Sequence, residues 1–265
     1  MPSVIITGSG SGLGRELALA WSSKGWRVIA TDMDGERAEQ TRAMLANADN
    51  SISATLDVTQ DADFERLVDR LQRDNESIDV LVNNAGIASA GRLSATPLEH
   101  WHRLLDVNLI GVVRGCRAFE NMLADGGGHI VNIASFAGIA NAPAMGAYNV
   151  AKAGVISLSE TLRTELDGRG VGVTVVCPSF FKTPLLDRAE GFGVDLKSLG
   201  TKLMDASPID AADVATHILT SVERGEFMCI PHRDARWLYR LKRWAPNSFA
   251  RLMVSRARGL LRQAA

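Results

Sequence analysis

Short apolar runs alternate along the chain with longer segments in which apolar residues recur every three or four positions. The short runs are bounded by Gly, Pro, Asn or Asp and predict buried strands, whereas the longer segments predict amphipathic helices. Strands are predicted at 4–7, 27–31, 51–56, 79–82, 129–134, 171–176 and 227–230. Helices are predicted at 15–23, 36–45, 97–123, 147–166 and 210–222, with another helix after Thr59.

This alternation predicts an α/β fold, a Rossmann-like doubly wound parallel sheet of about seven strands with helices on both faces. Two of the helices have start signals. Thr59 is expected to cap the helix that carries the apolar residues Phe64, Leu67, Val68 and Leu71. The sequence 96–99, Thr-Pro-Leu-Glu, is expected to form a capping box with proline at the first helical position, and the glycines at 126–128 are expected to end that helix.

Length and composition fit a single folded domain, although length alone also permits two, and the cysteines indicate a reducing compartment. The chain has 265 residues, of which 46% are hydrophobic and 22% are charged. No apolar run approaches the roughly 20 residues of a membrane-spanning helix, and the first strand begins too early to leave room for a signal peptide, so we expect a cytoplasmic protein. Cys116, Cys177 and Cys229 are too far apart for a metal motif and are expected to be buried thiols.

Charge divides the chain unevenly. Residues 232–265 contain nine Arg or Lys and one acid, a net charge of +8, and the whole chain carries −1, so residues 1–231 carry −9. We therefore predict a catalytic domain at 1–231 and a basic amphipathic extension at 232–265. In the extension Trp237, Leu238, Leu241 and Trp244 recur at helical spacing, Pro246 breaks the pattern, and 249–261 resumes it.

The extension has two interpretations that the pattern leaves open. Its apolar stripe can pack on the domain or on a neighbouring subunit, or it can lie on an anionic membrane surface as a peripheral contact. Nucleic acid is not expected as a partner, because no recognised nucleic-acid fold accompanies the charge.

The first predicted strand runs into a glycine-rich turn, Thr7–Gly14. Glycines at 8, 12 and 14 allow the backbone to approach a pyrophosphate at a helix N-terminus, although such a run also occurs in turns that are merely tight. Asp32 follows the second strand, 18 residues after Gly14, where an acid can bond the adenosine ribose, or can simply cap a helix. Because a 2′-phosphate would meet like charge there, NAD(H) is favoured, with NADP(H) the alternative if Arg15 and Arg37 reach the site.

Tyr148 and Lys152 lie four residues apart on one predicted helix, thirteen residues after Ser135 at the end of the fifth strand. They face one side of that helix, as a surface pair also would. A fixed ammonium and a positive nicotinamide favour phenolate, which predicts a phenol pKa lowered toward a working pH.

Together these motifs resemble the short-chain dehydrogenase/reductase family over about residues 3–230. They are Thr7–Gly14, Asn83–Gly86, Asn108, Ser135 and Tyr148–Lys152. The resemblance implies that Tyr148 is the general acid/base, that Ser135 holds the substrate oxygen, and that Asn108 positions a relay water. It implies that Lys152 binds the nicotinamide ribose and lowers the tyrosine pKa.

The resemblance also implies a full set of cofactor contacts. They are Gly8, Ser11, Gly12, Leu13, Gly14, Asp32, Asp57, Val58, Asn84, Tyr148, Lys152, Phe181 and Thr183. Members of the family usually have Pro-Gly after the sixth strand, whereas this chain has Pro178 and Ser179. The family often forms homodimers or homotetramers through helices that match 98–123 and 147–166.

Between Pro184 and Pro208 the chain combines Gly191 and Gly193 with apolar residues, among them Leu185, Leu186 and Phe192. We expect either a mobile lid over a hydrophobic substrate or ordinary loop packing. No metal is expected, since His100 and His102 diverge on a helix and His129, His217 and His232 are isolated.

The predicted function is hydride transfer between a nicotinamide and a small hydrophobic alcohol or carbonyl compound. The alternative is a catalytically silent dinucleotide-sensing or scaffold protein of the same fold.

Overall fold

A computed structural model describes residues 1–123, 127–186, 189–193 and 196–263 of the chain. In this part the strands are β1 Ser3–Thr7, β2 Arg27–Asp32, β3 Ile52–Thr55, β4 Val80–Asn83, β5 Ser89–Gly91, β6 His129–Ile133, β7 Gly172–Val176, β8 Glu190–Phe192 and β9 Met228–Cys229. The helices are α1 Gly12–Ser23, α2 Gly35–Ala43, α3 Asp61–Arg73, α4 Leu98–Leu105, α5 Gly111–Phe119, α6 Ala137–Ala140, α7 Gly146–Glu165, α8 Leu196–Asp205, α9 Ala211–Glu223, α10 Arg233–Trp244 and α11 Pro246–Gln263.

Among the described residues seven strands form one parallel sheet in the order β3-β2-β1-β4-β6-β7-β9. Every residue of β1, β4 and β6 is buried, as expected of strands covered on both faces. The chain reverses its direction of travel across the sheet between β1 and β4. A crevice therefore opens beyond the carboxyl ends of these two strands, which is where open α/β sheets bind their ligands. The predicted fold class is confirmed.

Each face of the sheet carries its own apolar core. On one face Leu71, Phe119 and Val155 bring α3, α5 and α7 against the sheet. On the other face Leu17 and Ile218 belong to α1 and α9, which pack on each other, with α1 over β1 and β2 and α9 over β7 and β9. The two helical layers hold the strand ends in fixed positions, so the loops that follow the strands meet along one edge.

The helix-start predictions were wrong at two places. Gln60, not Thr59, precedes α3, because the Thr59 hydroxyl donates to the Asp57 carboxylate at 2.8 Å. The capping box at 96–99 does not form, because the Thr96 hydroxyl donates to the Arg92 carbonyl at 3.0 Å and Pro97 is the residue before α4. In both cases the hydroxyl donates to an upstream acceptor, and no side-chain hydrogen bond caps the helix.

The single helix predicted at 97–123 is interrupted. A π-helical turn at Asp106–Ile110 separates α4 from α5, and a short 3₁₀ turn at Glu120–Met122 ends the segment. Helix therefore stops before the glycines that were expected to end it; of these, Gly126 lies outside the described residues. Apolar spacing alone does not distinguish a π turn from α-helix.

Four elements were not predicted from the sequence: β5, β8, α6 and α8. Strands β5 and β8 pair in parallel as a separate small sheet, which brings Ser89 opposite Glu190 and Gly91 opposite Phe192. The predicted lid thus contains a strand and a helix, although Asp187 and Arg188 of that segment lie outside the described residues. Of these, β5, β8 and α6 have only three or four residues and are too short for a periodic signal, whereas α8 has ten and lies in the segment expected as a lid or packed loop.

The extension forms α10 and α11, divided near Pro246 as predicted. Ala235, Leu238 and Phe249 are buried in the core that also contains α3 and α5, so this part of the extension packs on the domain. Trp237 and Trp244 of the predicted apolar stripe are exposed, so only part of the stripe packs on the domain. The side chains of 256–263, including Leu260 and Leu261, lie outside the described residues.

Candidate functional site

The loops after the sheet strands enclose a cavity of about 910 Å³. Its wall contains the residues of the glycine turn, the acids after β2 and β3, and the polar side chains after β6 and on α7. Among the residues predicted from the sequence, the wall includes Gly8, Ser11, Gly12, Leu13, Gly14, Asp32, Asp57, Val58, Asn84, Ser135, Tyr148, Lys152, Phe181 and Thr183. Fold topology thus gathers residues that are up to 175 positions apart in sequence.

The glycine turn is tight because the chain after β4 and the loop after β7 both press on it. Gly8 has φ +66°, and a Cβ there would lie 2.8 Å from Ala85 Cα. Gly12 has φ +52°, and its Cβ would lie 2.8 Å from Thr183 Oγ1. The Asn84 side chain also donates to the carbonyls of Thr7 and Gly8, at 2.9 and 3.1 Å. Larger side chains at 8 and 12 would push these segments apart.

The first turn of α1 presents free backbone donors to the cavity. Ser11 precedes the helix without a capping hydrogen bond from its side chain, and the first turn contains no acid. The first amide N–H groups of a helix and the positive end of its dipole together favour an anion. A pyrophosphate is an anion of suitable size for this turn.

Asp32 lies at the far end of the same cavity. Its Oδ2 accepts a hydrogen bond from the Gly10 amide at 3.0 Å and its Oδ1 accepts one from the Asp34 amide at 3.0 Å. Two cations, Arg15 and Arg37, also line the cavity, as the NADP(H) alternative requires. Arg15 donates to the Gly10 carbonyl and to Thr41 Oγ1, and Arg37 pairs with Asp34 at 3.2 Å.

Tyr148 and Lys152 lie in the first two turns of α7, with 8% and 4% of their surfaces exposed. The Lys152 Nζ atom donates to the Ile133 carbonyl at 2.8 Å and lies 5.9 Å from the centre of the Tyr148 ring. Ser135 follows β6, and its Oγ accepts a hydrogen bond from the Ala137 amide at 3.1 Å. This arrangement joins a phenol, an ammonium and a hydroxyl on one wall.

In the protein by itself, burial is the largest cause of the pKa shifts of Tyr148 and Lys152. It raises the pKa of Tyr148, and interaction with the Ser135 hydroxyl offsets part of the rise. Burial lowers the pKa of Lys152 to about 8. The predicted lowering of the phenol pKa depends on a bound nicotinamide as well as the ammonium and stays a prediction; in the protein by itself, burial sets the direction of the shift.

Asn108 was expected beside the other catalytic candidates, and the structure places it behind them. It is fully buried in the π-helical turn, does not line the cavity, and bonds through both amide atoms to the Ile87 backbone at 2.8 Å. A Cβ on Gly86 would lie 3.0 Å from Asn108 Oδ1 and 3.6 Å from Lys152 Nζ. Asn108 is thus close to the lysine and fixes the chain at Gly86 and Ile87.

The end of the cavity beyond Tyr148 is apolar. Its wall includes Ala88, Ala140, Ala142, Met145, Phe180, Leu185, Leu186 and Met204. Several of these side chains form a small core in which Leu186 and Met204 pack against Ala88 and Ala90. Glu190 of β8 also pairs with Arg103 at 2.6 Å and with His100 at 3.2 Å. The described part of the predicted lid therefore packs on the cavity wall and is joined to α4 through Glu190.

Some residues that shape the cavity were not predicted from the sequence. Gly10 and Gly86 lie within motifs that were recognised in the sequence, so their positions in those motifs could have indicated that they shape the cavity. His232 carries no such signal: its Nδ1 accepts from the Ser179 amide at 3.2 Å and its Nε2 donates to the Phe180 carbonyl at 3.0 Å. It holds the loop that follows β7.

The remaining chemical candidates carry no site. The three cysteines are buried and free, as predicted. The described residues contain no group of three or more side chains that could hold a metal ion. His100 is buried against Ser89 at 2.6 Å, whereas His102 is exposed on the other side of α4.

Sequence comparison relates most of the chain to one family. The family described as short chain dehydrogenase matches residues 2–191. "Probable oxidoreductase EphD" of Mycobacterium tuberculosis is 41% identical over 186 residues, which are 69% of this chain and 31% of that protein. The chain thus spans about a third of the length of this relative. The "2-(R)-hydroxypropyl-CoM dehydrogenase" of Xanthobacter autotrophicus is 34% identical over 231 residues, 81% of this chain and 92% of the relative.

Solved structures of short-chain dehydrogenases have a similar fold. A short-chain dehydrogenase/reductase from Burkholderia phymatum in complex with NAD superposes with a TM-score of 0.84 at 30% identity, over 91% of this chain and 92% of that one. A short-chain dehydrogenase from Sphingobium yanoikuyae in complex with NADPH gives a TM-score of 0.76 at 30% identity, over 89% and 91% of the two chains.

Proposed function

The chain belongs to the short-chain dehydrogenase family, and on that premise we propose that it is an NAD(P)-dependent oxidoreductase. In the proposed reaction hydride passes between the nicotinamide and the carbon of a hydrophobic secondary alcohol or ketone, with Tyr148 as general acid and base. The observation that carries the proposal is one cavity whose wall contains a glycine turn together with the buried Tyr148 and Lys152.

The first turn of α1 supports the cofactor assignment, because its free amides would bind the pyrophosphate. Asp57 and Val58 would contact the adenine, Asn84 the adenosine side, and Phe181 and Thr183 the nicotinamide end. The remaining proposed contacts are Gly8, Ser11, Gly12, Leu13, Gly14, Asp32, Tyr148 and Lys152.

Three side chains would act on the substrate oxygen and its proton. Tyr148 would exchange a proton with that oxygen, and the Ser135 hydroxyl would hydrogen-bond it. Lys152 would bind the nicotinamide ribose, and its charge would stabilise the phenolate. Asn108 was assigned a relay water, and its bonds to Ile87 support a positioning role for the chain beside Lys152.

NAD(H) is the favoured cofactor in this proposal, with NADP(H) as the alternative. The Asp32 carboxylate lines the cavity, where it would accept ribose hydroxyls and repel a 2′-phosphate. The alternative rests on Arg15 and Arg37, which line the same cavity and would offset that repulsion if they exchanged bonds to Gly10, Thr41 and Asp34 for bonds to the 2′-phosphate.

The apolar lining beyond Tyr148 supports a hydrophobic substrate. Met145, Phe180 and Leu185 offer few hydrogen bonds to a polar molecule, while Tyr148 and Ser135 provide the polar end that a single oxygen requires. An alcohol or ketone with apolar substituents on both sides of the reacting carbon fits this division.

The organisation of the protein is part of the proposal. We assign residues 1–231 to the catalytic domain and 232–265 to an extension packed on it, in a cytoplasmic homodimer or homotetramer that uses 98–123 and 147–166. None of the helices in the described part is both long enough and apolar enough to span a bilayer.

A substrate screen that follows nicotinamide absorbance, with NAD⁺ and NADP⁺ supplied in turn, tests the reaction class. The Tyr148→Phe variant should lose about a hundredfold or more of kcat, the size expected for general acid–base catalysis, and should still bind NADH. Near-normal turnover by this variant would remove Tyr148 from the proposed role. Tight NADH binding without turnover of any alcohol or carbonyl by the native chain would favour the silent dinucleotide-binding alternative.

A further inference from the structure

The outward side of α10 combines exposed arginines with exposed tryptophans. We call Arg233, Arg236, Trp237, Arg240 and Trp244 the arginine–tryptophan face. They recur at intervals of three and four, so they lie along one side of the helix, and all are exposed. Trp237 is 56% exposed and Trp244 is 88% exposed.

These tryptophans are not needed to attach the helix to the domain. The opposite side of α10 does that, because Ala235 and Leu238 are buried in the main core and Leu241 packs against it. A single exposed apolar side chain is ordinary in a protein surface, but two indoles on one short helix form an apolar strip without a partner in the described chain.

The arginines of this face are also unpaired. Within the described residues Arg233, Arg236 and Arg240 form no ion pair, although the chain is rich in acids elsewhere. The extension contains one acid, Asp234, which lies a quarter of a turn away from the face. The face therefore presents cations and indoles with no carboxylate between them.

We propose that the arginine–tryptophan face binds the surface of an anionic phospholipid bilayer. Arginines bond lipid phosphates, and the amphipathic indole ring settles at the boundary between headgroups and acyl chains. An acidic patch on a second copy of the chain would satisfy the arginines but would leave the indoles in water. A bilayer surface accommodates both kinds of side chain at once.

The helix is attached to segments that line the catalytic cavity. Lys242 donates to the Ile139 carbonyl in α6, and His232, directly before α10, bonds Ser179 and Phe180. Bilayer binding through α10 would thus act on a helix that is bonded directly to the cavity-lining loop 179–180. If the proposed function is correct, its substrates are lipophilic alcohols or ketones dissolved in the membrane; this last step rests on that proposal.

Sedimentation of the full chain with vesicles tests the binding itself. Vesicles of equimolar phosphatidylglycerol and phosphatidylcholine should carry the protein down, vesicles of phosphatidylcholine alone should not, and added salt should weaken binding. Arg236→Gln with Arg240→Gln should weaken it about 25-fold, since each cation near an anionic surface contributes about fivefold. The matched control is Arg73→Gln with Arg224→Gln, two exposed arginines outside the extension and outside the proposed subunit contact, which should have little effect.

A second pair of variants separates the indoles from the charge. Trp237→Ala with Trp244→Ala should lower vesicle binding while leaving the melting temperature near that of the native chain, and should abolish the blue shift of tryptophan fluorescence on binding. Tyr148→Phe should bind vesicles normally even if turnover is lost, so failure of the proposed chemistry and failure of this inference are distinguishable.

Three results would overturn the inference. One is equal sedimentation with and without phosphatidylglycerol, and another is unchanged binding by both double variants. The third is a lipid-free dimer that dissociates when either double variant is made, which would assign the face to a contact between copies of the chain.

Discussion

His232 accepts a hydrogen bond at Nδ1 from the Ser179 amide, at a distance of 3.2 Å. Its Nε2 donates to the next carbonyl in the loop, that of Phe180, at 3.0 Å. Ser179 stands where the family usually has glycine, and a histidine at the start of the extension fixes the backbone there. The same loop continues to Thr183, whose Oγ1 would lie 2.8 Å from a Cβ on Gly12.

Loss of this histidine should loosen the loop at the nicotinamide end. We expect His232→Ala to raise the KM for the cofactor by up to about thirtyfold with a smaller change in kcat, because two hydrogen bonds of about 1 kcal/mol each are removed from the loop. His232→Asn, which keeps one donor and one acceptor, should recover part of the effect. Exposed His217 on α9 supplies the control, His217→Ala. Steady-state kinetics at varied cofactor concentration measure this KM, and an unchanged KM in His232→Ala would contradict the prediction.

The same contact predicts a dependence on pH. Burial lowers the pKa of His232 below its usual 6.5, while the Phe180 carbonyl offsets part of this. A base whose pKa is lowered by folding stabilises the native state fully above pH 6.5, and this contribution is lost as pH falls toward the folded pKa. Protonated Nδ1 cannot accept from Ser179, so cofactor KM should rise only on the acid side of pH 6.5. His232→Asn should remove that rise.

Gly12→Ala should weaken cofactor binding and stability together. A side chain at φ +52° costs roughly 1–2 kcal/mol, and the added Cβ would collide with Thr183. Gly168→Ala, where a Cβ meets nothing within 4 Å, should change stability by less than about 0.5 kcal/mol. NADH titration and urea unfolding of both variants provide the comparison. Equal NADH affinity in the two would argue against the tight approach of Thr183 to the glycine turn.

Asp32→Asn should relax the choice between cofactors. The amide keeps an acceptor for Gly10 but removes the charge that would repel a 2′-phosphate, so the ratio of kcat/KM for NAD⁺ to that for NADP⁺ should fall by at least about tenfold. Glu36→Gln, an exposed acid outside the cavity, is the matched charge control. An unchanged ratio would show that Asp32 does not face the ribose.

Acid should destabilise the fold through His129. This residue is buried on β6, bonds Thr174 at 2.8 Å, and has a pKa lowered to about 4 by burial. Its contribution to stability is complete above pH 6.5 and is lost as pH falls through 6.5 toward about 4, a change of roughly 3 kcal/mol. Urea unfolding across this range should show a smaller slope for His129→Asn than for the exposed control His102→Asn.

Sequence alone determined the order of the strands and helices and most of the cavity wall. Buried parallel strands are nearly continuous apolar runs, and the residues that interrupt those runs, such as Asp32 and Ser135, must lie at strand ends. Because the carboxyl ends of parallel strands share one edge, these polar residues were expected to meet before any contact was known.

Only the tertiary structure decided which partner each polar group uses. The pattern could not show that Thr96 bonds backward to Arg92, that Asn108 turns both amide atoms to Ile87, or that Tyr148 is buried enough to raise its pKa. In the first case several acceptors compete for one local donor, and in the other two the outcome depends on segments that are remote in sequence.

The extension shows the same division. Its composition predicted two amphipathic segments, and its helical period allowed more than one face to be apolar. Packing against the core selected Ala235 and Leu238 for burial and left Trp237 and Trp244 outside. The period of a helix fixes which residues share a side, but the shape of the surface it meets decides which side is buried.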